Sequence, residues 1–236
     1  MLGGSGRFGR ALLPQLAAQH LGGVAVGRAD GVDLTGNTSL ARALDEVLDG
    51  ADVLVHAATD PRHARAVDVD GTAKVLAAAA RAELRHIVYL SIVGADRTPF
   101  GYYRAKHRAE QLITASGVPY TIVRSTQWFP FVAEIAGQLA RFGVAPRGWT
   151  VAPCDVDEVA MAVTRRVMKP AQNTILEIAG PQELTLTRAA QDIGGHKVLH
   201  LGVPGSLSRA IRGGSLLPQG AEETGRRTWA DWLGAQ

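Results

Sequence analysis

Short apolar runs alternate along the chain with longer stretches of helical periodicity. Val24-Ala25-Val26-Gly27, Asp52-Val53-Leu54-Val55-His56-Ala57, His86-Ile87-Val88-Tyr89-Leu90-Ser91 and Tyr120-Thr121-Ile122-Val123-Arg124 read as buried strands. Helical patterns occupy 7–20, 39–48, 65–82 and 102–116. Continuous apolar strands separated by helices predict a parallel sheet covered on both faces, with right-handed crossovers. After Arg124 the rhythm loosens. Residues 155–168 read as a helix capped by Asp155, with Glu158 completing a capping-box pattern. Residues 175–178 read as a strand, and 186–193 as a helix ended by Gly194-Gly195. In 222–233, Trp229, Trp232 and Leu233 fall at i, i+3 and i+4 and form one apolar helical face, for packing on the core or for lining a pocket. The pattern predicts an α/β core over 1–150, with a small C-terminal substrate region over 151–236 packed on it as one compact unit.

Composition narrows the function classes. The chain has 236 residues, 46% of them hydrophobic and 20% charged, with a net charge of +3. That is enough apolar material for a sizeable core and argues against bulk disorder. The basic residues are scattered, so no stripe for tracking phosphates along a nucleic acid is expected. Cys154 is the single cysteine, which excludes an intramolecular disulfide and fits a reducing compartment. It has no basic neighbour in sequence and is assigned no redox role. No apolar run of about 18 residues predicts a membrane span, and the N-terminus has no signal-peptide pattern. The expected location is the cytoplasm. His56, His63, His86, His107, His196 and His200 show no metal-ligand spacing, so no metal is expected; His56 reads as structural and His20 as a surface residue near a helix end.

The first chemical signal is Gly3-Gly4-Ser5-Gly6-Arg7-Phe8-Gly9. Glycines at 3, 6 and 9 supply a tight turn, a close backbone approach to a pyrophosphate, and close packing of the following helix on the sheet. The helix N-terminus adds a partial positive charge. Followed by a helix and further αβ steps, this loop predicts a Rossmann-type, doubly wound nucleotide-binding core. A full strand should precede it, whereas only Met1-Leu2 stands there. The first strand therefore reads as truncated, with the natural start expected several residues upstream.

The end of the second strand bears on the choice of dinucleotide. An acidic residue there accepts from the 2′-hydroxyl of NAD. Here Gly27-Arg28 follows Val26, and a guanidinium suits the 2′-phosphate of NADP. NADP is favoured over NAD, with Asp30 the competing acidic candidate. Asp33 and Leu34 are candidates for the adenine edge. Ala57 and Ala58, after the 52–57 strand, are small enough to let a cofactor pass.

Tyr102 and Lys106 stand at i and i+4, on one helical face. A nearby ammonium favours a phenolate, and the tyrosine then serves as acid or base at a carbonyl or alcohol. The lysine can also hold the nicotinamide ribose. Ser91, at a strand end, is positioned to hydrogen-bond the substrate oxygen. The competing reading is a packed tyrosine and a surface lysine, and Tyr103 is an alternative pocket residue. Ser125 and the aromatics Trp128, Phe129 and Phe131 follow the next strand. They are expected beside the nicotinamide and an apolar substrate, although Trp128 and Phe129 also read as core.

The glycine loop, Val67-Asp68-Val69-Asp70-Gly71-Thr72, Leu90-Ser91-Ile92-Val93-Gly94-Ala95-Asp96 and 102–106 resemble the atypical short-chain dehydrogenase/reductases, in particular their NmrA-like branch. Segments 122–127, 155–160 and 179–185 extend the resemblance to about residue 190. It implies an NAD(P)-binding core and a C-terminal substrate region. Ser91, Tyr102 and Lys106 match the serine, tyrosine and lysine of its active members. The family also contains sugar-nucleotide epimerases and redox sensors that bind cofactor without turnover. The leading expectation is an NADP(H)-dependent oxidoreductase for a small carbonyl or quinone-like molecule; a non-catalytic NADP(H) sensor and an epimerase holding NAD are the alternatives. Oligomeric state is not legible, and no nucleic-acid or membrane partner is expected.

Overall fold

The structure, a computed structural model, describes residues 1–36 and 38–236. In chain order its elements are α1 (Arg7–Ala18), a 3-10 turn (Arg28–Asp30), α2 (Thr38–Leu48), β1 (Val53–His56) and a π-helical turn (Arg65–Gly71) that runs into α3 (Thr72–Arg81). Next come β2 (His86–Ile92), α4 (Gly101–Ala115), β3 (Tyr120–Ser125), α5 (Phe129–Phe142), β4 (Val144–Pro146) and β5 (Thr150–Val151). The chain ends with α6 (Val156–Val167), β6 (Thr174–Ala179), β7 (Leu184–Thr185), α7 (Leu186–Gly194), β8 (Leu199–Leu201), α8 (Ser206–Arg212), β9 (Glu223–Thr224) and α9 (Trp229–Leu233).

The predicted parallel sheet is present, with five strands in the order β1-β2-β3-β6-β9. β1 and β2 run parallel with Val53 opposite His86, and β6 and β9 with Ile178 opposite Glu223. β4 pairs with β8 and β5 with β7 in separate two-stranded ribbons.

Beyond β1, Leu2 continues the pairing as a single residue. It bridges His56 on one side and Val26 on the other, both parallel. Leu2 N donates to Val55 O at 2.9 Å, Ala57 N to Leu2 O at 3.1 Å, and Val26 N to Met1 O at 2.9 Å. The strand expected over 24–27 is thus reduced to one bridge at Val26, and Val24 is 72% exposed. A ladder extends only as far as its neighbour does, and here the neighbour is Met1-Leu2. The chain leaves Leu2 to one side and returns on the other. This makes the carboxyl end of Leu2 a topological switch point, the place where open α/β sheets bind ligands.

Compactness divides the chain differently from a single cut near residue 150. One unit comprises Met1–Ser91, Gly101–Val123 and Ala160–Leu176; the other comprises Ile92–Phe100, Arg124–Val159 and Glu177–Gln236. In the first, Leu2, Leu44, Leu54, Ile87, Ile113 and Ile122 belong to one buried apolar cluster. In the second, Trp232 stacks on Phe129 and Trp229, with ring centroids 5.8 and 5.4 Å apart.

Two helix ends differ from expectation. Asp155 caps α6, accepting from Asp157 N at 2.8 Å. Glu158 does not close the box: its Oε1 accepts from Arg226 N at 2.8 Å and Arg227 N at 3.2 Å. Those amides belong to an extended segment, because the helix expected over 222–233 forms only at Trp229–Leu233, where Thr228 and Asp231 make a reciprocal cap.

Gly9 shows how tightly α1 is set against the loop before it. A Cβ on Gly9 would stand 2.1 Å from Gly4 O and 2.5 Å from Gly4 Cα, a clash with backbone alone. Gly9→Ala is expected to cost about 1–3 kcal/mol by overpacking, measured as a lower urea midpoint. An unchanged midpoint would contradict this packing.

Candidate active site

The glycine loop occupies the switch point. Gly3 has φ 82°, and a Cβ there would lie 2.8 Å from Ala58 N and 2.9 Å from Ala57 O. Glycine is therefore required on both conformational and steric grounds. Gly6 is the N-cap of α1, without a side-chain cap, and the first turn carries no acidic residue. Phe8 is buried, while Ser5 and Arg7 are exposed. The loop suits a pyrophosphate: glycines at 3 and 9 let its backbone pack tightly on Ala57-Ala58 and on Gly4, and it leads into a helix N-terminus with no acid in the first turn.

The loop after Val26 presents a cation at the surface. Arg28 is exposed in the 3-10 turn. Asp30 turns its Oδ2 back onto Gly27 N at 2.9 Å. Asp33 Oδ1 accepts from Thr35 N at 3.0 Å and Thr35 Oγ1 at 2.7 Å, and these bonds hold its carboxyl below the usual range. Leu34 is buried in the core, so its backbone alone is available to a nucleotide.

A buried charge network is centred on Lys106. Lys106 is 2% exposed, and its ammonium has three partners: Leu90 O at 2.9 Å, Tyr89 Oη at 3.2 Å and Asp68 Oδ1 at 3.2 Å. It donates hydrogen bonds to Leu90 and Tyr89, and its contact with Asp68 is an ion pair. Burial alone would lower its pKa; Tyr89, Tyr102 and Asp68 outweigh that and raise it, so Lys106 stays charged. Burial pushes the Tyr89 phenol up, against the pull of Lys106. Asp68, fully buried on the π-helical turn, also accepts from Thr59 Oγ1 at 2.7 Å. Thr59 Oγ1 in turn lies 3.1 Å from Tyr102 Oη. Thr59 follows Ala57-Ala58, the backbone against which Gly3 packs.

Tyr102 and Lys106 are thus joined in one network, as the i, i+4 spacing implies. Ser91 goes elsewhere: buried on β2, it donates to Glu110 Oε1 at 2.6 Å, and Glu110 Oε2 lies 3.3 Å from His107 Nδ1. Ser125 is buried and accepts from Trp128 Nε1 at 3.1 Å. Phe129 is core, Trp128 half-buried and Phe131 exposed. In the second unit, Pro153, Pro181, Leu184, Arg188, Trp229 and Leu233 are among the residues lining a cleft of about 550 Å³. Sequence reasoning missed Thr59 and Asp68. The one available signal was an acid inside the apolar helical pattern of 65–82. Among the described residues no group of three or more His, Cys, Asp or Glu side chains is placed to hold a metal. Burial pushes the Cys154 thiol up to about 12.

A family model described as NAD(P)H-binding matches residues 3–165. The chain belongs to this family. A curated relative, the (4-alkanoyl-5-oxo-2,5-dihydrofuran-3-yl)methyl phosphate reductase of Streptomyces griseus subsp. griseus, is 30% identical over 61% of the chain. The chain spans about half of that relative's length, 51%. Among solved structures, a nucleoside-diphosphate-sugar epimerase from Staphylococcus aureus superposes with TM-score 0.77 at 15% identity, covering 98% of each chain. An NADPH-dependent quinone oxidoreductase from Escherichia coli gives TM-score 0.73 at 18% identity, covering 99% of this chain and 98% of its own. Its NADPH complex gives 0.68 at 20% identity over 91% and 87%. These likenesses establish a Rossmann-type fold. No helix among the described residues is long and apolar enough to cross a membrane.

His56 is fully buried beside the network, with Nε2 3.0 Å from Thr72 Oγ1. Burial, then the charge of Lys106, lower its pKa to about 3. In the unfolded chain a histidine protonates near pH 6.5. The stabilisation from keeping it neutral is complete above about 6.5 and is lost as pH falls from there towards 3. Unfolding free energy is expected to drop between pH 7 and pH 5, with a shallower slope in His56→Gln. Equal slopes in the two proteins would contradict the assignment.

Proposed function

We propose that the protein is an NADP(H)-dependent oxidoreductase that reduces a small apolar carbonyl or quinone-like molecule, with Tyr102 as proton donor. The observation that carries this reading is the short path Gly3, Ala57-Ala58, Thr59, Tyr102. It ties an ionisable hydroxyl to the backbone that forms one wall of the nucleotide cradle. When bound, the dinucleotide supplies the hydride.

The chain's own residues do the rest. Gly3, Ser5, Gly6, Arg7, Phe8 and Gly9 form the pyrophosphate loop through backbone close to a helix N-terminus. Arg28 takes the 2′-phosphate. The occupied carboxylate of Asp30 favours this over a ribose 2′-hydroxyl contact. Asp33, the backbone of Leu34, Ala57 and Ala58 border the nucleotide. Tyr102 protonates the substrate oxygen as charge develops on it. Ser91, with its proton committed to Glu110, holds α4 against β2 and so positions Tyr102; we assign it this role in place of a substrate contact. Ser125 accepts from the indole of Trp128 and holds it in place. The reductase relative and the quinone oxidoreductase fold support hydride chemistry. A reducing cytoplasm suits the unpaired Cys154.

Quenching of tryptophan fluorescence tests the cofactor assignment. NADPH is expected to bind at least tenfold more tightly than NADH, and Arg28→Ala to remove most of that difference, because a charge-assisted contact to phosphate is worth roughly 1.5–3 kcal/mol. Equal affinities in the native protein would count against Arg28. Tyr102→Phe is expected to lower NADPH-linked reduction of menadione about 100-fold, with NADPH affinity within about twofold of the native protein. Full activity in Tyr102→Phe would remove Tyr102 from the chemistry.

A further inference from the structure

Two stretches of the second unit hold lysine or arginine and no acid. Residues 135–154 contain Arg141 and Arg147, residues 193–221 contain Lys197, Arg209 and Arg212, and neither stretch contains Asp or Glu. The whole chain nets only +3, so the remainder of it is net negative. All five cations are exposed, and among the described residues none of them enters an ion pair. Folding brings the two stretches together. β4 and β8 pair in parallel, with Val144 opposite Leu199 and Pro146 opposite Leu201. Leu199 N donates to Gly143 O and Arg147 N to Leu201 O, both at 2.8 Å. A Cβ on Gly148 would lie 3.5 Å from Arg212 Cγ, and Trp149 Nε1 donates to Ser208 Oγ at 3.1 Å, which sets α8 beside the same turn.

The same ribbon turns apolar side chains outward. Alternate residues of a strand face opposite sides. Ala145 and His200 form the inward row: Ala145 is buried, and His200 Nδ1 lies 3.5 Å from Thr187 Oγ1 on α7. Leu199 and Leu201 belong to the other row and are 70% and 50% exposed. Phe142, the last residue of α5, adjoins Gly143 and is 74% exposed. Large apolar side chains held in water beside unpaired cations mark a surface for contact.

We propose that this face attaches the protein to an anionic phospholipid surface: Phe142, Leu199 and Leu201 enter the acyl boundary, and Arg141, Arg147 and Lys197 meet the headgroup phosphates. A bilayer surface offers an apolar layer and an anionic layer side by side, which is what such a face requires. A second copy docked about a twofold axis would set the patch against itself, cations facing cations. A nucleic acid would satisfy the cations but has no apolar layer for aliphatic side chains. The attachment is peripheral and needs no spanning helix. The expectation of no membrane partner rests on basic residues that are scattered in sequence; they gather only when 141–147 and 197–201 meet across the ribbon.

Co-sedimentation with lipid vesicles tests this on the whole chain and requires neither nucleotide nor substrate, so its result stands apart from whether the cofactor assignment holds. The native protein is expected to bind phosphatidylcholine vesicles containing about 30% phosphatidylglycerol at least about 50-fold more tightly than phosphatidylcholine alone. Raising NaCl from about 0.05 to about 0.5 M is expected to weaken that binding about tenfold or more. Arg141→Gln/Arg147→Gln/Lys197→Gln is expected to remove most of the preference for phosphatidylglycerol, and Leu199→Ser/Leu201→Ser to weaken binding about tenfold at either salt concentration. Arg42→Gln/Arg108→Gln, which removes two exposed cations of the first unit, is expected to bind within about twofold of the native protein. Every substituted side chain is exposed, so each variant is expected to keep the native melting temperature. Native protein that stays in the supernatant with both kinds of vesicle would overturn the proposal; a dimer seen by light scattering and lost in Leu199→Ser/Leu201→Ser would then identify a second copy as the occupant. A loss in Arg42→Gln/Arg108→Gln as large as in the triple variant would also overturn it, by making binding a matter of overall charge.

Discussion

Lys106 and Asp68 carry opposite charges into a region that water does not reach. Each charge loses several kcal/mol of hydration there, and the loss is offset only if the partners and the remaining hydrogen bonds are in place. Removing one partner alone leaves a buried charge uncompensated, at a cost of roughly 3–5 kcal/mol. The pair therefore constrains everything around it. The π-helical turn has to deliver Asp68, α4 has to deliver Lys106, and β2 has to supply Tyr89 and the Leu90 carbonyl. The segment after β1 has to bring Thr59 to the second lone pair of Asp68. An arrangement this demanding fixes one register of α4 over β2, and that register is what places Tyr102.

The same segment after β1 is constrained from its other side by Gly3. With Ala57 and Ala58 backbone less than 3 Å from where a Cβ would stand, the glycine loop cannot shift without moving Thr59. The glycine loop and Tyr102 are thus coupled through three consecutive residues. In the proposed function, both halves of a reduction would be set by this one piece of backbone.

Most of the sheet was legible in the sequence, because buried parallel strands announce themselves as unbroken apolar runs; 53–56, 86–91 and 120–124 all became strands. The segment 24–27 did not, because a strand also depends on its neighbour, and apolar periodicity carries no information about pairing length. The glycine loop was legible residue by residue, since each glycine answers a separate steric requirement. Tyr102 and Lys106 were legible as a pair from helical spacing. Their meaning was not, because Asp68 and Thr59 lie 38 and 43 residues away from them, respectively, in sequence. Ser91 looked available at its strand end, and what occupies its hydroxyl is Glu110, one helical turn beyond Lys106 on α4. Spacing finds residues on one face of one element; it is silent about which acceptors a second element brings to that face.

The measurement that bears most directly on this account is a crystal structure of the protein with NADPH. The account predicts the pyrophosphate against Gly3, Gly6 and the start of α1, the 2′-phosphate on Arg28, and Tyr102 facing the nicotinamide. A nucleotide bound elsewhere on the protein would contradict it.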